Sequence, residues 1–281
     1  MVRFVEEKDL LEVVDLVYKL NNSPAFYSGY CSKTKSKIKE EMMVLIKEKS
    51  ALVYEDKNIL GVLLYFKTPN NEIDVSGPFV ENEDITIGHA LLSRFFEDHQ
   101  NVPVNFFFAR KSKFYLKLME IFNISFIDDE YILKLSRKDF LPIENRFLIR
   151  KARKTELSMV QDMHEEIFGD CYVTKDMLAE EDRFNQVYLL ELDERISGFA
   201  LLLIHETDAY LELFGLLKSY RGKGLSKSFL SKILEKAFEK DTIDHCLLVV
   251  DKINVTAHKI YRDLGFKIIE ENVSYKRKQS M

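Results

Sequence analysis

The chain repeats itself, and the repeat fixes most of what it can fold into. Arg3 to Leu10 reads RFVEEKDL and Arg150 to Leu157 reads RKARKTEL, each a short strand running into an amphipathic helix. Asp56-x-x-Ile59-x-Gly61 returns as Asp193-x-x-Ile196-x-Gly198, both times between apolar segments, as a tight hairpin demands. Ile87 to Leu92 lines up with Leu225 to Leu230, and Phe126, entering a late strand, lines up with Phe266. The offset stays at roughly 140 residues throughout, which points to two copies of one structural plan in tandem. The expected domains are 1–140 and 146–281. Their joint falls near Lys138 to Arg146, where Pro142 interrupts regular structure among polar residues.

Each copy opens with a strand and helices and continues as an antiparallel meander. The meander strands are Ser50–Tyr54, Leu60–Lys67 and Glu72–Val80 in the first copy, and Val187–Glu191, Ile196–His205 and Ala209–Leu217 in the second. A long helix, an apolar strand (Val102–Ala109; His245–Val250), a second helix and a closing strand follow. Hairpins combined with a late strand–helix–strand unit read as α/β with a mixed sheet. The net charge of −5 argues against a nucleic-acid partner. No apolar run reaches the length of a membrane span, and the first residues lack the basic start and apolar core of a signal peptide. The three cysteines, Cys31, Cys171 and Cys246, form neither a CxxC nor an even framework, which suits a reducing cytoplasm. Cys246 lies in an apolar run and reads as buried and inert.

The chemistry concentrates between Leu211 and Phe266. Around Leu216 an apolar strand runs into the basic turn Arg221-Gly222-Lys223-Gly224-Leu225-Ser226, and the turn opens a helix. A glycine-rich helix start leaves backbone N–H groups unpaired, and the helix dipole adds partial positive charge. Gly222 and Gly224 let a phosphate approach the backbone, while Arg221 and Lys223 add full charges. Leu225, Phe229, Leu230, Ile233, Leu234, Ala237 and Phe238 fall on one face of the helix. The turn is neither a P-loop nor a dinucleotide fingerprint, and on its own it reads equally as a surface turn with ordinary lysines. Further on, Asn254 can cap a helix with Ala257, Ile260, Tyr261 and Leu264 on its buried face and Gly265 as its stop. On that spacing Asn254 and Tyr261 share a face roughly 10 Å apart.

Taken together these stretches resemble the GNAT-type N-acetyltransferase superfamily. The family loop Arg/Gln-x-x-Gly-x-Gly/Ala is met by Arg221, Gly224 and, with serine for the last small residue, Ser226; the later Asn-x-x-Ala-x-x-x-Tyr-x-x-x-Gly-Phe signature is met in full by Asn254, Ala257, Tyr261, Gly265 and Phe266. The resemblance covers about the last 135 residues well. It implies two tandem GNAT-like domains, each a mixed, mostly antiparallel sheet flanked by helices. It further implies acetyl-CoA as acyl donor, no metal, and a primary amine on a small molecule or peptide as acceptor. The pantetheine arm would lie where the strands through Leu216 and Leu248 splay apart, with pyrophosphate on the N–H groups of Gly222 to Ser226. Lys223 and Lys227 are candidates for the outer phosphates. The resemblance also implies Tyr261 as the acid that protonates the leaving thiolate, the backbone near Leu216 as carbonyl ligand, and Asn254 as a support for the pantetheine or the neighbouring strand. Glu212 stands where many family members carry a carboxylate, on an expected face with Tyr210 and Phe214. A general base, an exposed strand glutamate and a water relay all remain open there.

The first copy carries no basic glycine loop. Aligning Gly88 with Ser226 sets Glu83 against Arg221 and Thr86 against Gly224; aligning Phe126 with Phe266 sets Ile121 against Tyr261 and Ser125 against Gly265. Glu81, Glu83 and Asp84 would repel a pyrophosphate, so this copy is expected to be degenerate. The acceptor is expected over Ile167 to Arg183, where Asp170, Tyr172, Glu180, Glu181 and Asp182 lie, with Phe26, Tyr27 and Tyr30 as further candidates. The expectation is thus a cytoplasmic monomer or homodimer with no nucleic-acid or membrane partner. A CoA-binding regulatory or interaction module without turnover is the alternative.

Overall fold

The computed structural model describes residues 1–23, 25–68, 70–143, 148–169, 173–179, 185–192, 194–205 and 207–278. The first copy runs β1 (Val2–Phe4), α1 (Leu10–Asn21), α2 (Lys35–Lys47), β2 (Ala51–Asp56), β3 (Asn58–Lys67), β4 (Ile73–Val80), α3 (Ile85–Asp98), β5 (Val104–Ala109), α4 (Lys113–Ile121) and β6 (Ser125–Ser136). The second runs β7 (Leu148–Lys151), α5 (Leu157–Phe168), α6 (Lys175–Ala179), β8 (Asn185–Leu192), β9 (Arg195–His205), β10 (Asp208–Leu216), α7 (Leu225–Phe238), β11 (His245–Asp251), α8 (Val255–Asp263) and β12 (Lys267–Arg277). Among the described residues no helix is long and apolar enough to cross a membrane.

The compact units are not the two copies. Unit 1 is Met1–Glu130 with Glu271–Met281, and unit 2 is Tyr131–Glu270. The boundaries 1–140 and 146–281 therefore describe the repeat, while the packed units share out the closing strands differently. In unit 1 the order is β1-β2-β3-β4-β5, and β5 then pairs antiparallel with the end of β12, from Ala109↔Asn272 to Val104↔Arg277. In unit 2 the order is β7-β8-β9-β10-β11, with the Tyr131–Ser136 part of β6 beside β11. Arg137, just past that strand, holds it in unit 2 by donating to the carbonyls of Ile243 (2.8 Å) and Phe238 (2.5 Å). Each copy thus gives up part of its last strand to the other unit.

Inside the units the repeat is exact in chemistry. Arg3 clasps Asp9 with two nitrogens (2.6 and 3.0 Å) and Glu55 with Nε (2.7 Å). Arg150 clasps Glu156 with two (2.8 and 2.8 Å) and Glu191 with Nε (2.6 Å). In both, the first carboxylate also accepts a backbone N–H at the start of the helix, from Glu6 or Arg153. Charge-assisted bidentate pairs of this kind fix geometry as well as energy. The Glu156 carboxyl is accordingly held down at about 2, chiefly by Arg150.

The apolar stripes read from the sequence are the buried ones. Leu225, Phe229, Leu230, Ile233, Leu234, Ala237 and Phe238 of α7 all enter the core of unit 2, which continues through β9–β11 and α8. Burying each large side chain stabilises by about 1.5–3 kcal/mol. A second cluster lies on the other face of that sheet, between β8–β10 and α5.

Candidate active site

Strands β10 and β11 run parallel and pair only over Asp208–Tyr210 with His245–Leu247. Beyond that, Leu211–Leu216 and Leu248–Asp251 carry no ladder to each other, so the strands part. On its other edge β10 pairs with β9, and the register slips at Glu212: Leu211 faces Leu202 and Leu213 faces Leu201. Glu212 is the extra residue of a β-bulge, and the one-residue slip turns the following side chains to the opposite face. Ala209 and Leu211 join the core under α7, whereas Leu213 joins the cluster under α5. Phe214 then turns back toward α7, with its ring 5.3 Å from that of Phe229. Tyr210, Glu212 and Phe214 therefore do not share a face, as unbroken alternation would require. Glu212 is exposed by surface area but crowded by its neighbours, and this desolvation raises its carboxyl above the ordinary range.

The strand end leaves backbone groups open. Leu217 N–H bonds to Ser197 O of β9 (3.0 Å), so by alternation the N–H and C=O of Leu216 point away from β9, into the opening. The turn then places Gly222 and Gly224 in left-handed conformation, both at φ 74°, which a side chain would strain. A Cβ at either would meet nothing within 4 Å. Gly224 is the N-cap of α7 and no side chain caps the helix. Among the described residues no backbone carbonyl takes the N–H groups of Gly222 to Ser226. These donors, with the helix dipole behind them, form an open anion cradle. Leu216 and Leu225 are buried, so they offer only their backbones to it.

The charged residues behave less uniformly than the sequence suggests. Arg221 folds back: its Nε donates to Leu216 O (2.8 Å) and its Nη2 reaches Ile167 O of α5 (3.5 Å). It ties the turn to the strand end, a role that pattern alone did not reveal. Lys223 lies 5.4 Å from the centre of the Tyr220 ring and stays exposed. Lys227 pairs with Asp263 of α8 at 3.3 Å, and nothing in the sequence signalled that partner.

Helix α8 brings the remaining candidates to the same core. Asn254 is its N-cap, its side-chain oxygen accepting from Ala257 N–H (3.1 Å). Tyr261 is 9% exposed and packs edge-on to Phe266, 5.7 Å between ring centres. Burial, then the neighbouring Cys246, raises its phenol to about 12, so it stays protonated at neutral pH. Among the described residues no hydrogen bond holds its hydroxyl. Cys246 is fully buried and its thiol is pushed up to about 12, chiefly by burial. Asp170, Cys171, Tyr172, Glu180, Glu181 and Asp182, named for the acceptor side or as a cysteine, lie outside the described residues.

Unit 1 answers this site with a different helix start. The buried faces of α3 and α7 align as Ile87, Leu91, Leu92, Phe95 and Phe96 against Leu225, Phe229, Leu230, Ile233 and Leu234. That register sets Glu83 against Arg221 and Asp84 against Gly222, yet α3 begins two residues sooner. Asp84 caps it, accepting from Thr86 N–H at 2.8 Å. Glu81 pairs with Lys19 at 2.8 Å. Helix α4 requires a correction. Ser112 and Asn254 are equivalent N-caps, and both helices close with the same bonds: Ile124 N–H to Met119 O and Phe266 N–H to Tyr261 O. Asn123 and Gly265 both have positive φ, 50° and 95°. The counterparts of Tyr261, Gly265 and Phe266 are thus Met119, Asn123 and Ile124, not Ile121, Ser125 and Phe126. Phe126 is half exposed, whereas Phe266 and Ile124 are buried.

Comparison with known proteins agrees with this geometry. The acetyltransferase (GNAT) family model matches residues 156–266. An uncharacterised N-acetyltransferase of Methanocaldococcus jannaschii is 25% identical over 121 residues, 43% of this chain and 78% of that one. A mycothiol acetyltransferase of Corynebacterium aurimucosum is 38% identical over 81 residues, 27% of this chain and only 26% of that one. Among solved structures, a GCN5-related N-acetyltransferase from Sphaerobacter thermophilus matches with a TM-score of 0.78 at 14% identity, over 99% of this chain and 95% of the other. A tandem GNAT protein from the clavulanic acid biosynthesis pathway matches at 0.68 and 11%, over 100% and 99%. At those identities the structures speak for the fold alone. Residues 156–266 thus match the acetyltransferase (GNAT) family, and the chain as a whole has the α/β fold of mixed, mostly antiparallel sheets flanked by helices that its GNAT neighbours share.

Proposed function

We propose that the chain is an acyl-CoA-dependent N-acetyltransferase acting through unit 2, with acetyl-CoA as donor and a primary amine as acceptor. The start of α7 carries this reading: an uncapped helix end, opened by two left-handed glycines, beside strands that part. The residues fit the donor, since a pyrophosphate needs unpaired N–H groups and room, and Gly222 to Ser226 offer both. Bound there, acetyl-CoA supplies an activated thioester.

The chain's own groups do the rest. Arg221 holds the turn against the strand end. The N–H of Leu216 faces the opening and stabilises the carbonyl oxygen as it gains charge. Glu212, with its raised carboxyl, takes a proton from the incoming ammonium, because only the neutral amine attacks. The N–C bond forms as the C–S bond breaks, Tyr261 gives its proton to the departing sulfur, and the attacking nitrogen releases its second proton to solvent. Exchange with solvent then restores both side chains. Asn254 keeps α8, and so Tyr261, in place through its cap. The Methanocaldococcus jannaschii relative, an N-acetyltransferase by name, supports a nitrogen acceptor.

The test is release of free CoA thiol on mixing the chain with acetyl-CoA and a panel of primary amines, matched by mass spectrometry of the acetylated amine. Turnover with at least one amine is expected. Binding without thiol release across the panel would favour the CoA-binding module. No binding at millimolar acetyl-CoA would remove the reading altogether.

A further inference from the structure

Unit 1 also has strands that part. Strands β4 and β5 run parallel and pair only over Ile73–Val75 with Val104–Phe106. Past that point one edge of β5 belongs to β12, with Val273 opposite Phe108. The other edge is not left free. Gly29 N–H donates to Phe107 O (2.9 Å) and Ala109 N–H donates to Tyr27 O (3.0 Å), around a bridge between Ser28 and Phe108. Because β12 holds the far edge, this short strand lies on the β4 side, in the opening itself. It reaches β4 as well, through a hydrogen bond from Ser76 Oγ to Ser28 Oγ (3.0 Å).

The segment is locked in. Asn21, 1% exposed at the end of α1, accepts from Ser28 N–H (2.8 Å) and donates to the carbonyls of Cys31 and Ser32 (3.1 and 3.1 Å). Tyr115 donates to Phe26 O (3.2 Å), and the Phe26 ring packs on Phe114 and Tyr115. Unit 2 lacks both polar anchors. Helices α1 and α5 are each 12 residues long, and where α1 ends in Asn21, α5 ends in Phe168. Ser76 of β4 pairs with Leu64, three residues past Gly61, and the residue paired three past Gly198, opposite Leu201, is Leu213. Among the described residues no loop bonds to Leu248–Val250, and Val249 is 49% exposed.

We infer that unit 1 is closed by its own chain: Tyr27–Gly29 fills, as a built-in strand, the opening whose counterpart in unit 2 takes a ligand. The inference rests on the reading of the β10–β11 opening as the acyl-CoA site. It makes unit 1 a self-occupied copy that takes no acyl-CoA, because the backbone groups a ligand would use are already paired.

Hydrogen exchange of the full chain, with and without saturating acetyl-CoA, tests it. The amides of Gly29 and Ala109 are expected to exchange slowly in both states, while those of Leu216 and Gly222 to Ser226 become protected only with acetyl-CoA. Asn21→Ala is expected to speed exchange at Gly29 and Ala109 at least tenfold, as local opening does, and to leave the count of bound acetyl-CoA at one. Asn21→Asp, which keeps the acceptor and loses the donors, is expected to fall between. Fast exchange at Ala109 in the free chain, acetyl-CoA-dependent change at Phe107–Ala109, or two bound acetyl-CoA per chain would each overturn the inference. If no acetyl-CoA binds anywhere, the proposed function fails while the free-chain exchange still decides whether the segment is locked.

Discussion

The same helix begins in two ways in this molecule. In unit 2, α7 starts at bare glycine and leaves its first N–H groups pointing outward. In unit 1, α3 starts two residues sooner and spends an aspartate on its own cap. Both face the problem of orphan N–H groups at a helix start. Asp84 solves it with a carboxylate from the chain, while Gly222 and Gly224 leave the first N–H groups of α7 open. The lesson is that one fold can close a helix start from within the chain in one copy and leave it open in the other.

The most severe way to break the comparison is to cut between the copies. Fragments 1–140 and 141–281 are each expected to fail to fold alone, because unit 1 loses Glu271–Arg277 and unit 2 loses Tyr131–Ser136. Together they should recover the native circular dichroism spectrum and a single species on gel filtration. Next, Gly222→Asp places in unit 2 the anion that unit 1 carries at Asp84. A like charge within about 4 Å costs about 4 kcal/mol at an effective dielectric of 20, so acetyl-CoA affinity by calorimetry should fall at least ~100-fold. Thermal stability should fall only modestly, by about 1 kcal/mol, since a Cβ there meets nothing but φ at Gly222 is 74°.

Tyr261→Phe sharpens the contrast with Met119. The loss of a proton donor should lower kcat about 10²-fold with KM nearly unchanged. In the parent the phenol, at about 12, should produce no alkaline limb near neutrality. Glu212→Gln should lower kcat/KM by about tenfold to 10²-fold. The raised carboxyl loses its base form as pH falls, so the parent should show an acid limb above the ordinary carboxylate value, and the variant should lose it. The smallest effect belongs to Asp263→Asn. The Lys227–Asp263 pair is more than a third exposed, so stability should move by no more than about 0.5 kcal/mol. If Lys227 meets an outer phosphate, the same variant should bind acetyl-CoA slightly more tightly.

Much of this was legible in the sequence, for identifiable reasons. The stripe from Leu225 to Phe238 follows the helical period, and burial follows the stripe. The glycines at 222 and 224 announce their left-handed turn, and Gly265 its helix stop. What stayed hidden depends on partners rather than periods. The bulge at Glu212 is one residue of slip against Leu201 and Leu202, and no side chain marks it. A closing strand such as Glu271–Arg277 reads the same whichever sheet it joins, so the boundary between compact units could not be placed. Residue type pairs Phe266 with Phe126, yet burial pairs it with Ile124. The charge of Arg221 is visible in a sequence, whereas the Leu216 carbonyl within its reach is not.

The shared closing strands also set an order of events during synthesis. Strand β5 is complete once Ala109 has been made, but its partner Asn272–Arg277 follows only after the whole of unit 2. At about 5–20 residues per second, that edge waits on the order of ten seconds or more with its amides unpaired. An open strand edge of Val104 to Ala109, rich in phenylalanine, is the kind that seeks a partner in another chain. The half of the protein translated first is therefore among the last parts to be finished, and the nascent chain depends on its own later residues to cover that edge.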